Sequence, residues 1–191
     1  MIKFQIADEI ELRPFIEENA AEIFAAVKAN YTHLQPFLHW VTEDYSLESA
    51  SEFINRTQKE FAEKTSQTFG IFYREKIAGV IGFVNFNWGS KRTEIGYWIA
   101  QNYEGQGIIT KSCKALIKYA FDELKMNRIE IRCATENIKS RAIPERLNFT
   151  LEGILRQSQW RHTRFFDIAI YGMLAEECKD SYQLSVINEQ K

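Results

Sequence analysis

Two short stretches of this chain carry residue types at spacings that could do chemistry. The first is Tyr103-Glu104-Gly105-Gln106-Gly107-Ile108-Ile109-Thr110, set between a predicted strand and the longest predicted helix. Glycines at 105 and 107 let the backbone approach a ligand closely, and the amides of 106–110 would point out of the helix N-terminus. Unpaired N–H groups at the positive end of a helix dipole hold a pyrophosphate, and Thr110 adds a hydroxyl in the first turn. A plain turn into a helix would use the same glycines, so both readings stand. The spacing lacks the third glycine of a dinucleotide fingerprint and the Gly-Lys-Ser/Thr run of a P-loop. The second stretch runs from Asn137 to Pro144. Asn137 is placed to cap a helix by accepting from an amide near residue 140. Pro144 has no N–H, which leaves the carbonyl of Ser140 without its helical partner.

The elements that must position these stretches follow from hydrophobic periodicity. A first strand is expected near 9–14, then a short amphipathic helix on Ala20, Ile23, Phe24 and Val27. Segment 31–45 is aromatic but aperiodic and reads as a loop or short helix, followed by a helix on Ala50, Phe53, Ile54, Thr57 and Phe61. Residues 67–73 and 77–86 read as a hairpin, and 93–100 as another strand. The long helix spans about 106–124, with Ile109, Cys113, Leu116, Ile117, Ala120 and Leu124 on one face and lysines on the other. A strand at 128–134, a helix near 138–147 and strands near 150–160 and 164–175 complete the order. The expected fold class is α/β (α+β), a mixed and mostly antiparallel sheet with at least one parallel pair joined through the long helix.

Composition excludes several function classes. A net charge of −2 gives no global field favouring nucleic acid or an anionic membrane. No stretch approaches the roughly 18 apolar residues that span a bilayer, and the first residues carry no secretory signal pattern, so a cytoplasmic protein is expected. Cys113, Cys133 and Cys178 have no metal-site spacing and read as free thiols. No metal is expected. Residues 1–177 form one expected domain and 178–191 a C-terminal tail, a short helix or loose chain.

The segment 93–149 contains Tyr97-Trp98-Ile99, the glycine loop, Ala115 to Phe121, Asn127 to Arg132, and Asn137, Ser140, Arg141, Ala142, Ile143, Pro144, Glu145, Arg146, Leu147 and Phe149. This series resembles the GNAT (GCN5-related N-acetyltransferase) superfamily, in particular its RimJ/RimL-like ribosomal-protein N-terminal acetyltransferases. The resemblance covers roughly residues 9–175. It implies the GNAT fold, in which two parallel strands splay apart and acetyl-CoA lies in the wedge. It places the pyrophosphate on Gly105, Gln106, Gly107, Ile108 and Thr110, and the thioester near Trp98 and Ile99, where a backbone N–H would polarise its carbonyl. Asn137 would also bond the pantetheine arm, and Ser140 would hydrogen-bond the departing thiolate. Asn148 stands where the family usually has Gly; asparagine also tolerates the left-handed conformation of a helix end.

Acetylating an amine requires a lone pair, hence a base or an amine that binds deprotonated. By alternation Glu94 shares a strand face with Gly96 and Trp98, opposite Ile95 and Tyr97. It is either the base, through water, or the partner of a cross-strand cation. Relatives often carry Glu where this chain has Gln159, and an amide cannot accept a proton at neutral pH. His39, Trp40, Gln159 and Trp160 are the expected acceptor-side residues, with His33 and His162 as lesser candidates. The implied reaction moves acetyl from acetyl-CoA to a primary amine, foremost a protein N-terminus. A small-molecule amine, or an acetyl-CoA-binding module with little turnover, are the alternatives. A homodimer is compatible with the resemblance; membrane and nucleic-acid partners are not expected.

Overall fold

The computed structural model describes residues 2–178 together with the backbone of 186–188. Strand β1 (Ile2–Ala7) turns through Asp8 and Glu9 into β2 (Ile10–Arg13). The single strand expected near 9–14 is therefore the second arm of a hairpin, and Phe4 of the unforeseen first arm is buried. Helices α1 (Ala20–Ala29), α2 (Tyr31–Leu34) and α3 (Leu47–Glu63) follow. The α3 start is set by Ser46, whose hydroxyl accepts from Ser49 N–H at 3.2 Å. Ala50, Ile54 and Thr57 form its buried face.

Strands β3 (Gln67–Tyr73) and β4 (Lys76–Asn87) form the expected hairpin. Its two-residue turn puts Arg74 and Glu75 at φ 49° and 65°, the positive values that match the twist of paired strands. Strand β5 (Arg92–Ile99) leads through the glycine loop to α4 (Ile108–Asp122). Then come β6 (Arg128–Ala134), α5 (Ile138–Arg146), β7 (Thr150–Arg161) and β8 (Arg164–Leu174). A short β9 (Val186–Asn188) pairs with β1, so a strand stands in the segment expected to be a short helix or loose chain. The other residues after Cys178 lie outside the described residues.

Among the described residues there is one nine-stranded sheet, ordered β7-β8-β6-β5-β4-β3-β2-β1-β9. Among the described strands only β5 and β6 run parallel, as the crossover through α4 requires. The main core joins α4 to one face through Ile109, Cys113, Leu116 and Ile117 against Ile95, Ile129 and Ile131. A second core joins α1 and α3 to the opposite face through Ile23, Val27 and Ile54 against Phe72, Val80 and Trp98. Burial of these aliphatic and aromatic faces is the main stabilising contribution, about 1.5–3 kcal/mol for each fully buried large side chain. Phe83 and Phe86 are buried, as their apolar run implies, and Trp88 lies exposed against Phe86.

Candidate active site

The parallel pair does not stay paired. Strands β5 and β6 register only at Arg92↔Arg128, Thr93↔Ile129 and Glu94↔Glu130, although β5 continues to Ile99 and β6 to Ala134. Beyond Glu94 the two strands part and leave an opening whose edges carry unpaired backbone. Its polarity follows from β4, where Ala100 N–H donates to Ala78 O at 2.8 Å. Groups two residues apart share a direction, so Trp98 and Gly96 also pair with β4. The N–H and C=O of Tyr97 and Ile99 therefore face the opening. Trp98 contributes neither backbone group to it, and its ring is buried in the second core.

At the mouth of this opening stands the N-terminus of α4. Gly105 and Gly107 both adopt φ 73°, and a Cβ at either would meet nothing within 4 Å. The glycines are thus demanded by backbone conformation, and the space above them is open to a ligand. Gly107 caps α4 without a side-chain bond, leaving the N–H groups of Ile108, Ile109 and Thr110 without intrahelical partners. The Thr110 hydroxyl accepts from Arg146 at 3.1 Å, and Gln106 donates to Asn102 O at 3.1 Å. Glu104 ties the loop to its surroundings, bonded to Lys139 at 2.5 Å and 3.4 Å from His33 Nε2. Neither link was legible in the sequence, because residue spacing holds no signal for contacts between α2, the loop and α5.

Helix α5 borders the opening at its other side. Asn137 Oδ1 accepts from Ser140 N–H at 3.0 Å, so the cap is made as its position implies. Asn148 takes φ 63° directly after the helix, the left-handed role expected of it. Ser140 Oγ lies 3.4 Å from the Tyr97 hydroxyl, which in turn donates to Ser140 O at 3.0 Å. Burial pushes the Cys133 thiol up to about 11, against a smaller lowering by a hydrogen bond with Ser140. It is a protonated core thiol at neutral pH and not an activated nucleophile.

Glu94 occupies the apex, the last paired residue before the strands part. Burial raises its pKa above the ordinary carboxylate value, with Arg132 opposing and Glu130 adding to the rise. Arg132 Nε is 3.5 Å from Glu94, so the cross-strand cation is present. That cation is shared: Arg132 also donates to Glu130 at 2.7 Å, as does Arg128 at 2.9 Å. Burial opposes ionisation of Glu130, but these guanidinium bonds outweigh it and hold its pKa low. Glu94 is left as the carboxylate with the weaker hold on a cation and the stronger affinity for a proton.

The acceptor-side candidates are dispersed. Trp40 is partly exposed beside Trp98, with ring centroids 6.4 Å apart, and His39 next to it is exposed. Gln159 pairs in register with Phe166 on β8, whose ring packs with Phe37, Ala134 and Ile168. It accepts a hydrogen bond from Arg161. Trp160 points from the opposite face of the hairpin and packs on Phe165 at 4.8 Å, so it does not share a wall with Gln159. His162 Nε2 bonds Gln35 O at 2.9 Å, closing the hairpin tip onto the segment after α2.

Residues 9–150 match the acetyltransferase (GNAT) domain family. A Bacillus subtilis (strain 168) protein named as a candidate ribosomal N-acetyltransferase, YdaF, is 32% identical over 93% of this chain and 97% of its own length. The ribosomal-protein-serine acetyltransferase of Escherichia coli (strain K12) is 27% identical over 90% of this chain and 96% of its own. The solved structure of RimL, a ribosomal L7/L12 alpha-N-protein acetyltransferase in complex with coenzyme A, superposes with a TM-score of 0.88. It is 26% identical, with 93% of this chain and all of that one covered.

Proposed function

Because this chain belongs to the GNAT acetyltransferase family, we propose that its acceptor is the N-terminal α-amine of a ribosomal protein. The chain is an acetyl-CoA-dependent N-acetyltransferase. The observation that carries the reading is the opening between β5 and β6 beside the glycine-led start of α4. The residues present fit acetyl-CoA: free amides and a helix dipole at Gly107 to Thr110 suit a pyrophosphate, and outward backbone groups at Tyr97 and Ile99 suit an amide-bearing arm. Asn137 and Ser140 stand on the facing side. When bound, acetyl-CoA supplies an activated acetyl thioester.

The protein's own groups divide the remaining work. The Ile99 N–H is aimed to donate to a carbonyl lying along β5, where charge grows during acyl transfer. Glu94, with its raised proton affinity and place at the apex, takes a proton from the ammonium, through water where reach demands it. Gln159 leaves that task to Glu94, or to acceptors whose α-amine, with a pKa near 8, arrives partly deprotonated. Ser140 Oγ hydrogen-bonds the leaving sulfur. His39 and Trp40 border the acceptor side of the same sheet face.

Two finer points belong to this reading. A second copy of the chain suits the edge strand β7, which leaves Leu151, Ile154, Leu155 and Trp160 exposed and has no outer neighbour among the described residues. Light scattering should then give a dimer mass; a monomer at assay concentration removes the point. The cytoplasm, where ribosomal proteins and acetyl-CoA meet, is the assigned compartment; among the described residues no helix is long and apolar enough to cross a membrane.

The test is release of CoA thiol from acetyl-CoA with short peptides bearing free Ser, Ala, Thr or Met N-termini, alongside spermidine and free amino acids. Peptide-dependent release is expected. Release with small amines alone would move the acceptor to metabolites, and binding of acetyl-CoA without release would leave a non-catalytic module.

A further inference from the structure

We propose that Tyr97 is the positioning residue for Ser140, holding its peptide carbonyl and steering its hydroxyl at the border of the opening. The inference rests on the acetyltransferase reading above. Tyr97 lies on the β5 face opposite Glu94 and packs against the core beneath α4. Its hydroxyl donates to Ser140 O at 3.0 Å, across 43 residues of sequence. That carbonyl is the one whose helical donor is missing, because residue 144 is proline. A carbonyl partly shielded from water favours a protein partner, and the phenol supplies it. The proline and the tyrosine therefore act as a pair: one vacates the carbonyl, the other occupies it and is thereby fixed beside the serine.

The consequence falls on Oγ. A serine in the first turn of a helix commonly turns its hydroxyl to a nearby backbone group. Here it donates to the Tyr97 oxygen at 3.4 Å, a long contact by hydrogen-bond standards. Ser140 is thus held at its N–H by Asn137 and at its C=O by Tyr97, while its hydroxyl is shared between the Tyr97 oxygen and the Cys133 thiol. The hydroxyl turns from the phenol to a departing thiolate without disturbing the other two bonds. Burial, the largest influence, raises the Tyr97 pKa, so at neutral pH the phenol keeps the hydrogen it donates to Ser140 O.

The test uses Tyr97→Phe, which keeps the ring and removes the hydroxyl. With a turned-over acceptor and saturating acetyl-CoA, kcat is expected to fall about tenfold or more, while the acetyl-CoA KM stays within about threefold. The thermal midpoint falls by a few degrees. Adding Pro144→Ala restores an N–H to the Ser140 carbonyl, so the double variant should regain its midpoint but not its kcat. Recovery of both would make Tyr97 merely structural and overturn the proposal. A Tyr97→Phe kcat within about twofold of wild type would overturn it as well. A wild-type protein silent with every acceptor would instead count against the acetyltransferase reading. The midpoint comparison would still decide the carbonyl link, and no recovery by Pro144→Ala would sink it.

Discussion

The opening bordered by α4 and α5 and the β7 edge of the sheet are built in opposite ways. On the side of α4 and α5 nearly every element is locked: Gly107 caps one helix, Asn137 the other, and Glu104, Lys139 and His33 tie the loop to both flanks. On the side of β7, eleven of twelve residues are exposed, and Gln157 breaks the register with φ 50°. A preformed half suits a ligand that never changes, because fixed donors need no ordering at binding. An exposed half suits an acceptor of variable sequence, whose own atoms supply the missing contacts. Glu94 stands at the apex of the opening.

That contrast can be broken at three points, the first at the apex. Glu94→Gln should lower kcat/KM at neutral pH about a hundredfold and move the acid limb of the pH profile upward, toward the pKa of the amine itself. An unchanged profile would take the base away from Glu94. The stability effect has the opposite sense. The folded pKa of Glu94 lies above its ordinary value, so ionising it costs stability as pH rises from the unfolded pKa through the folded one. Denaturant unfolding should show Glu94→Gln no less stable than wild type at pH 7, with any advantage gone in acid.

The next point is the locked side. Gly107→Val places a β-branched residue at φ 73°, which costs about 1–2 kcal/mol of strain although the space is open. Calorimetry should show acetyl-CoA affinity reduced about tenfold, with acceptor KM unaltered at saturation. Equal weakening of both ligands would mean that the two sides are not independent. The smallest effect is expected on the exposed side. Gln159→Glu should change unfolding free energy by no more than about 0.5 kcal/mol. Peptide turnover near pH 7 should rise a few-fold, and a fall would show that the amide is there to accept or donate to the acceptor.

Legibility in the sequence tracked the range of the contacts involved. The loop 103–110, the caps at Asn137 and Asn148 and the vacancy made by Pro144 could be read directly, since each is a steric property of a few consecutive residues. The order of strands and helices from 67 to 174 followed from periodicity, and α3 from its apolar face. The β1 arm escaped because six residues ending in a two-residue turn offer little periodic signal. Gln159 and Trp160, both expected on the acceptor side, are adjacent on β7 and face opposite ways, a separation set by the strand's alternation.

Sequence alone determined where backbone must bend and which faces must be buried, because those choices rest on side-chain sterics and hydrophobicity at positions a few residues apart. Only the tertiary structure decided that β5 and β6 part after Glu94, that Glu94 yields its cation largely to Glu130, and that Tyr97 fills the carbonyl Pro144 leaves open. Each of these joins groups dozens of residues apart. Their strength depends on burial and distance, which no local spacing encodes.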